Sequence, residues 1–398
     1  MADWQERLAR IAHRVEAEID RQRERLEERR GGAVRHARID AYRGFGSADR
    51  ALVSARVLRG EPLRAAALDD SVWDNLGAML RRFESDEVAG ARVRVRFPGG
   101  AHEVQGDAEG YVQAWIDPQP AFPATSLWHE VELELLHPAP EEAPRPAVAR
   151  VMVPPAEAAF GVISDIDDTV VRTDATDLLR MLRNVFLANA HTRVPFPGLG
   201  AFYRALQRGT AGRDVNPIFY VSSSPWNLHD VLAEFLALRG IPEGPLLLRD
   251  WGISRTEVLP VGHGAHKHAQ IRRIMDLFPA LPFILVGDSG QEDPEIYGRV
   301  VQDHPDRILA VYIRNVTPLP ERVDAIRRLA AEVEAAGSTL LLTDDTLAAA
   351  RDAAQRGWID PAAVAEVERE AQTDVPTEKT EPGTAAANEA LSTEAPPT

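Results

Sequence analysis

Phe160-Gly161-Val162-Ile163-Ser164-Asp165-Ile166-Asp167-Asp168-Thr169 carries a short apolar run straight into a loop crowded with carboxylates. Such a run, bounded by loop residues, reads as a strand buried on both faces. Runs of the same kind recur at 218–221, 246–248, 283–286 and 308–313, with helical stretches such as 226–239 and 268–278 between them. Strand and helix in alternation predict an α/β fold, a parallel sheet covered by helices on both sides. Sheets of this kind bind ligands beyond the carboxyl ends of their strands, so the residues just past each strand matter most.

The first strand, 160–164, runs into Asp165-Ile166-Asp167-Asp168-Thr169 and the second into Ser222-Ser223-Ser224-Pro225-Trp226-Asn227. The fourth runs into Gly287-Asp288-Ser289-Gly290-Gln291-Glu292-Asp293, and Lys267 is expected to begin the helix before it. Phosphoryl transfer needs this inventory. A phosphate dianion repels a carboxylate, so a hard cation with oxygen ligands must lie between them; magnesium suits, with Asp165 and Asp288 as ligands and the Asp167 carbonyl facing the metal. Asp165 would attack phosphorus to give an aspartyl phosphate. Asp167, two residues on and on the same side of an extended segment, would protonate the leaving alkoxide and later deprotonate the water. Ser222 would bond a phosphoryl oxygen, and Lys267 would hold nucleophile and phosphoryl group together by charge.

The lysine carries particular weight. Lys and Arg together number 45, yet lysine occurs only at Lys267 and Lys379. Where arginine serves almost every position that needs only a positive charge, a lysine inside the folded region marks a site built for a compact point charge.

Each piece has a plainer reading by itself. An Asp-rich loop or a serine run can cap a helix, as expected of Ser224 ahead of the Trp226 helix. Gly287-Asp288-Ser289-Gly290 can be an ordinary turn. His263, His266 and His268 have no spacing that signals zinc and read as solvated, His263 in a glycine-flanked loop and His266 beside the site. Order and joint occurrence favour the catalytic reading.

Together these residues resemble the haloacid dehalogenase superfamily, whose motifs are an Asp-x-Asp-x-Thr loop, a Ser or Thr after the second strand, a Lys, and an acidic pair after the fourth strand. More narrowly, Ser164-Asp165-Ile166-Asp167-Asp168-Thr169, Tyr220-Val221-Ser222-Ser223-Ser224-Pro225-Trp226-Asn227, His266-Lys267 and Gly287-Asp288-Ser289-Gly290-Gln291-Glu292-Asp293-Pro294-Glu295-Ile296-Tyr297 are similar to the actin-patch-associated phosphatidate phosphatase family. The resemblance covers about 159–343. It implies a haloacid-dehalogenase-like Rossmannoid sheet with a minimal cap over 159–357, Mg2+ as cofactor, and conversion of phosphatidate to diacylglycerol and phosphate. It also implies Asp165, Asp167 and Asp288 at the metal and Thr169 beside Ser222 and Lys267 at the phosphate, with Asp293, Asp168 and His266 behind them. Asp168 departs only from the wider superfamily, where glycine is common.

The space from 170 to 217 holds a helix and a loop but hardly an independent cap domain, so the site is expected to be open to a bulky substrate. That suits a phosphorylated lipid at a membrane surface and equally a phosphorylated protein or polynucleotide end. Three readings stay open: a lipid phosphatase, a phosphatase for a soluble or macromolecular ester, and a non-catalytic phosphate-binding scaffold.

The rest of the 398 residues frames this region. Trp4, Leu8, Ile11, Val15 and Ile19 at helical spacing predict an amphipathic helix over 1–32. Period-two alternation at 92–97 and 130–135 predicts a β-sandwich-like domain over 33–138, with arginines on one strand's outer face and glutamates on the other's. Residues 139–158 read as a linker, 358–372 as a helix and 373–398 as a disordered tail. A net charge of −16 makes nucleic acid an unfavoured partner, and zero cysteines exclude disulfides and thiol chemistry. No run approaches the roughly 20 apolar residues of a membrane span. The expected location is cytoplasmic, with peripheral contact to a membrane; oligomeric state is not specified.

Overall fold

The computed structural model describes residues 37–60, 87–138, 146–166, 197–226, 229–249 and 263–374. The helix expected over 1–32, the loop residues Asp167, Asp168 and Thr169, and the tail from 375 onward lie outside them. The described residues gather into two compact units, those within 1–165, 215–234 and 243–284 and those within 166–214, 235–242 and 285–398. Among the described residues no helix is long and apolar enough to cross a membrane.

In the first unit, β1 (Ala37–Ala41), β2 (Gly44–Gly46), β3 (Ala51–Arg59), β4 (Arg92–Phe97), β5 (Gly100–Gln105), β6 (Tyr111–Ile116), β7 (Trp128–His137) and β8 (Ala147–Met152) make one sheet. Its order is β1-β3-β2-β8-β7-β4-β5, with β6 added on β3. Val53 and Val57 of β3, Val93 and Val95 of β4, Val112 and Ile116 of β6, and Val131 and Leu133 of β7 share one buried core. Each buried Val or Leu contributes about 1.5–3 kcal/mol, and a one-residue slip of β4, β6 or β7 would turn its own apolar residues to the outer face.

The outward residues pair by charge. β4 runs antiparallel to both β5 and β7, setting Arg94 opposite Glu103 and Glu134. Arg94 lies 2.9 Å from Glu103 and 3.2 Å from Glu134, and Arg96 lies 2.8 Å from Glu134. The expected complementarity is therefore realised. Exposed pairs are worth only about 0–1 kcal/mol each, so burial rather than charge holds the strands.

The turn at Gly106–Tyr111 is built on Asp107, whose Oδ1 accepts from the N–H groups of Glu109 and Tyr111 at 2.9 and 2.8 Å. Gly110 sits there at φ 76°, and a Cβ on it would lie 2.5 Å from the Val57 carbonyl oxygen. Only glycine suits both conditions.

The linker expected at 139–158 is corrected in part. Residues 147–152 form β8, antiparallel to β7 and parallel to β2. The proline-rich run before it hides a short alternating strand in which Ala149 and Val151 reach the core.

A second set of strands follows: β9 (Gly161–Asp165), β10 (Ile218–Pro225) and β11 (Leu246–Arg249), in the order β11-β10-β9 in the first unit, then β12 (Phe283–Asp288), and β13 (Ile308–Arg314) and β14 (Leu340–Thr343), side by side in the second. All five expected strands are present; β14 was not anticipated. β10 pairs parallel with β9 and β11, and β13 with β14. Val162, Ile163, Ile218, Phe219, Phe283 and Ile284 are buried, as strands covered on both faces require. Asn216 fastens the start of β9, its Oδ1 accepting from the Ala159 N–H at 3.0 Å.

The described helices are α1 (Leu199–Arg208), α2 (His229–Leu238), α3 (His263–Leu277), α4 (Asp293–Asp303), α5 (Pro320–Ala335), α6 (Thr346–Gln355) and α7 (Ala363–Asp374). The last was expected at 358–372. It packs on α1 in the second unit, where the Glu370 carboxylate accepts from the Ala201 N–H at 2.7 Å.

Candidate active site

β9 ends on Asp165, and its parallel register with β10 sets Val221 opposite Asp165. Ser222 is the next residue of β10, so a carboxylate and a hydroxyl reach the same carboxyl edge by register alone. Ser222 is buried, and its Oγ accepts from the Ser224 N–H at 2.9 Å. Ser224 was expected to cap the following helix. Instead β10 continues to Pro225 and α2 starts at His229, so Ser224 is buried in the strand and its amide orients Ser222.

Lys267 was expected to begin its helix, but α3 starts at His263 and carries Lys267 in its second turn. His263, expected in a loop, is the first residue of that helix, and His266 is half-buried directly before the lysine. The Lys267 ammonium lies 2.8 Å from Oδ1 of Asp165, with 3% and 2% of the two side chains exposed. Both oxygens of Asp165 are shielded from solvent. A buried carboxylate is costly unless a positive partner or a metal compensates it, and the lysine is one such partner.

In the second unit, Asp288 closes β12 and Asp293 opens α4, both buried. Asp288 Oδ1 accepts from the Gly290 N–H at 2.6 Å, and Asp293 Oδ2 accepts from the Asp288 N–H at 3.3 Å. A Cβ on Gly287 would lie 2.5 Å from that same Asp293 oxygen, so the glycine makes room for the acid. Ser289 Oγ accepts from the N–H groups of Val316 and Thr317, both at 3.0 Å.

Sequence reasoning missed two arginines here. Arg322 donates to the carbonyls of Ser289 at 2.9 Å and Gln291 at 2.5 Å and pairs with Glu295, clamping the acidic loop. Arg314 ends β13; burial lowers its pKa, opposed by the charges of Asp345 and Asp288. In so arginine-rich a chain neither stood out.

Asp165 in the first unit, and Asp288 and Asp293 in the second, are carboxylates able to serve as metal ligands. Hard oxygen donors of this kind suit magnesium, calcium or manganese rather than a soft metal.

Residues 160–315 match the protein family described as "Phosphatidate phosphatase APP1, catalytic domain". The chain is 36% identical over 158 residues to phosphatidate phosphatase APP1 of Saccharomyces cerevisiae, covering 39% of this chain and 26% of that protein. It is 27% identical over 159 residues to an uncharacterized protein of Schizosaccharomyces pombe, covering 39% and 25%. The chain thus spans about a quarter of the length of these relatives. Among solved structures, a carbohydrate acetylesterase from Xanthomonas citri aligns at 13% identity and a TM-score of 0.24 over 74% of this chain and 72% of that one, too low to bear on the fold. The matched span contains Asp165, Ser222, Lys267, Asp288 and Asp293. Residues 160–315 are thus similar to the catalytic domain of phosphatidate phosphatase APP1.

Proposed function

We propose that this chain is a magnesium-dependent phosphatidate phosphatase that works through a phosphorylated Asp165. The buried Lys267–Asp165 pair at 2.8 Å carries the reading, because it sets an ammonium against a carboxylate at the carboxyl edge of a parallel sheet. The wider frame is a haloacid-dehalogenase-like domain with a minimal cap over 159–357, preceded by a β-sandwich-like domain.

In the first step an Asp165 oxygen bonds to phosphorus while the bond from phosphorus to the diacylglycerol oxygen breaks, and Asp167 gives that oxygen a proton. In the second, Asp167 takes a proton from water as the water oxygen bonds to phosphorus, and the bond to Asp165 breaks to release phosphate. Ser222, Thr169 and Lys267 bind the phosphoryl oxygens, and the lysine offsets charge that would otherwise repel the nucleophile. The carboxylates of Asp165, Asp288 and Asp293, with the Asp167 carbonyl, would hold Mg2+, which when bound neutralises charge shared by phosphate and carboxylate. Asp168 and His266 support this set. The substrate is taken from a membrane surface by a protein that resides in the cytoplasm.

Phosphate release from phosphatidate in mixed micelles tests this reading, with and without magnesium, for the native chain and Asp165→Asn. Magnesium-dependent release by the native chain alone is expected; equal release by both sinks it. A much higher kcat/KM for a non-lipid phosphate ester would keep the chemistry and replace the substrate.

A further inference from the structure

Within the first unit, the outer face of β3 and β6 opens into a cavity of about 320 Å³ that the reaction above does not use. The β3/β6 register places Ser54 opposite Gln113 and Arg56 opposite Tyr111, all on the face turned away from the core. Ser54 lies buried on the floor, while Gln105, Asp107 and Gln113 line the exposed rim. Trp226 forms one wall. Its ring is held by Tyr42 at 5.3 Å, Tyr111 at 5.9 Å and a stacked His229 at 5.6 Å between centroids. A wall clamped on three sides presents an aromatic surface without further ordering on binding. Asp107 is likewise fixed, through the two backbone N–H groups its Oδ1 already accepts.

The lining discriminates between ligand classes. The Arg56 guanidinium, 4.4 Å over the Tyr111 ring, already occupies that ring's cation-binding face. An anion meets the carboxylate of Asp107. Two amides and a hydroxyl both donate and accept, as neighbouring hydroxyl groups on a ring require, and an aromatic wall accepts the apolar C–H face of such a ring. The volume falls in the range of about 300–1,000 Å³ typical of small-molecule sites.

We propose that this cavity binds an uncharged polyhydroxylated ring, a sugar or inositol, free or as the head group of a lipid. The inference is independent of the phosphatase reading, and its readout is binding. It would nonetheless bear on that site, because Trp226 belongs to the segment that begins with Ser222.

Saturation-transfer NMR on the full chain with myo-inositol, glucose and choline tests it, together with co-sedimentation on phosphatidylcholine vesicles with and without a galactosyl lipid. Transfer to a polyol ring but not to choline, or sedimentation only with the galactosyl lipid, is expected; the first assigns a soluble ligand and the second a head group. Gln113→Leu should weaken either signal by about tenfold, and Trp226→Phe by less, since it keeps an aromatic wall. Arg96→Ala, on β4 and absent from the lining, should leave it unchanged. No signal from any polyol or galactosyl lipid, choline binding as strongly, or a signal indifferent to Gln113→Leu would overturn the proposal.

Discussion

The ammonium of Lys267 and the carboxylate of Asp165 meet at 2.8 Å, with almost nothing of either side chain open to solvent. Each is the other's compensation for leaving water, and a 15-residue helix with a β-strand end is needed to bring them together.

Substitution at Lys267 separates stability from chemistry. Lys267→Met leaves a buried carboxylate without this partner, and a loss of about 3–5 kcal/mol is expected in urea denaturation. Lys267→Arg keeps the charge but replaces a compact ammonium with a planar fork. Its stability should fall less, while magnesium-dependent phosphate release should drop by about 10²–10³-fold, as for loss of one transition-state donor. An arginine variant with native turnover would show that position 267 needs charge alone.

Gly287 is predicted to be intolerant of any side chain. Its added Cβ would meet Asp293 Oδ2 at 2.5 Å and the Tyr297 ring at 2.9 Å. Both are buried and neither has an easy retreat, because the Tyr297 hydroxyl donates to the Val286 carbonyl at 3.0 Å. Gly287→Ala should lose about 1–3 kcal/mol of stability, as overpacked cores do, and bind magnesium more weakly in calorimetry. Unchanged magnesium affinity would show that Asp293 is not among the metal's ligands.

These residues also show what was legible beforehand. The places of Asp165, Ser222 and Asp288 at strand ends were legible because short apolar strands announce themselves. Lys267 stood out against an arginine background. Arg322, Arg314 and Asn216 could not be found, since each acts through backbone carbonyls, charges or amides far away in sequence. β8 and β14 are short strands whose pattern is too brief to separate from loop or helix. The start of α3 was placed late because Gly262 and Gly264 flank His263, and glycine reads as a breaker even where a helix begins.

The contact between α1 and α7 is expected to carry measurable stability. Glu370 accepts from the Ala201 N–H at 2.7 Å with one oxygen and pairs with Arg204 at 2.5 Å through the other. Arg204 in turn donates to the Gly240 carbonyl at 2.7 Å. Both side chains are partly exposed, so screening reduces their worth; Glu370→Ala should cost about 1–2 kcal/mol in urea denaturation. A smaller loss in Glu370→Gln would assign the larger share to the helix-start hydrogen bond, and an equal loss would assign it to the ion pair.

Glu243 gives a pH dependence whose sign can be worked out. Burial raises its pKa, but hydrogen bonds and charge from Arg43, at 2.9 Å, and from Arg150 outweigh burial and hold the carboxyl below its ordinary value. A carboxyl whose folded pKa is depressed binds fewer protons folded than unfolded. Its contribution is therefore fully present above the unfolded value of about 4.3 and is lost as pH falls through the folded one. The side chain is 43% exposed, so the contribution is about 1 kcal/mol or less. Glu243→Gln should lower the urea midpoint near pH 7, and the gap should close as the native chain is titrated below about pH 4. A gap that stayed constant across that range would mean that packing or neutral hydrogen bonding, rather than the carboxylate charge, joins Glu243 to Arg43 and Arg150.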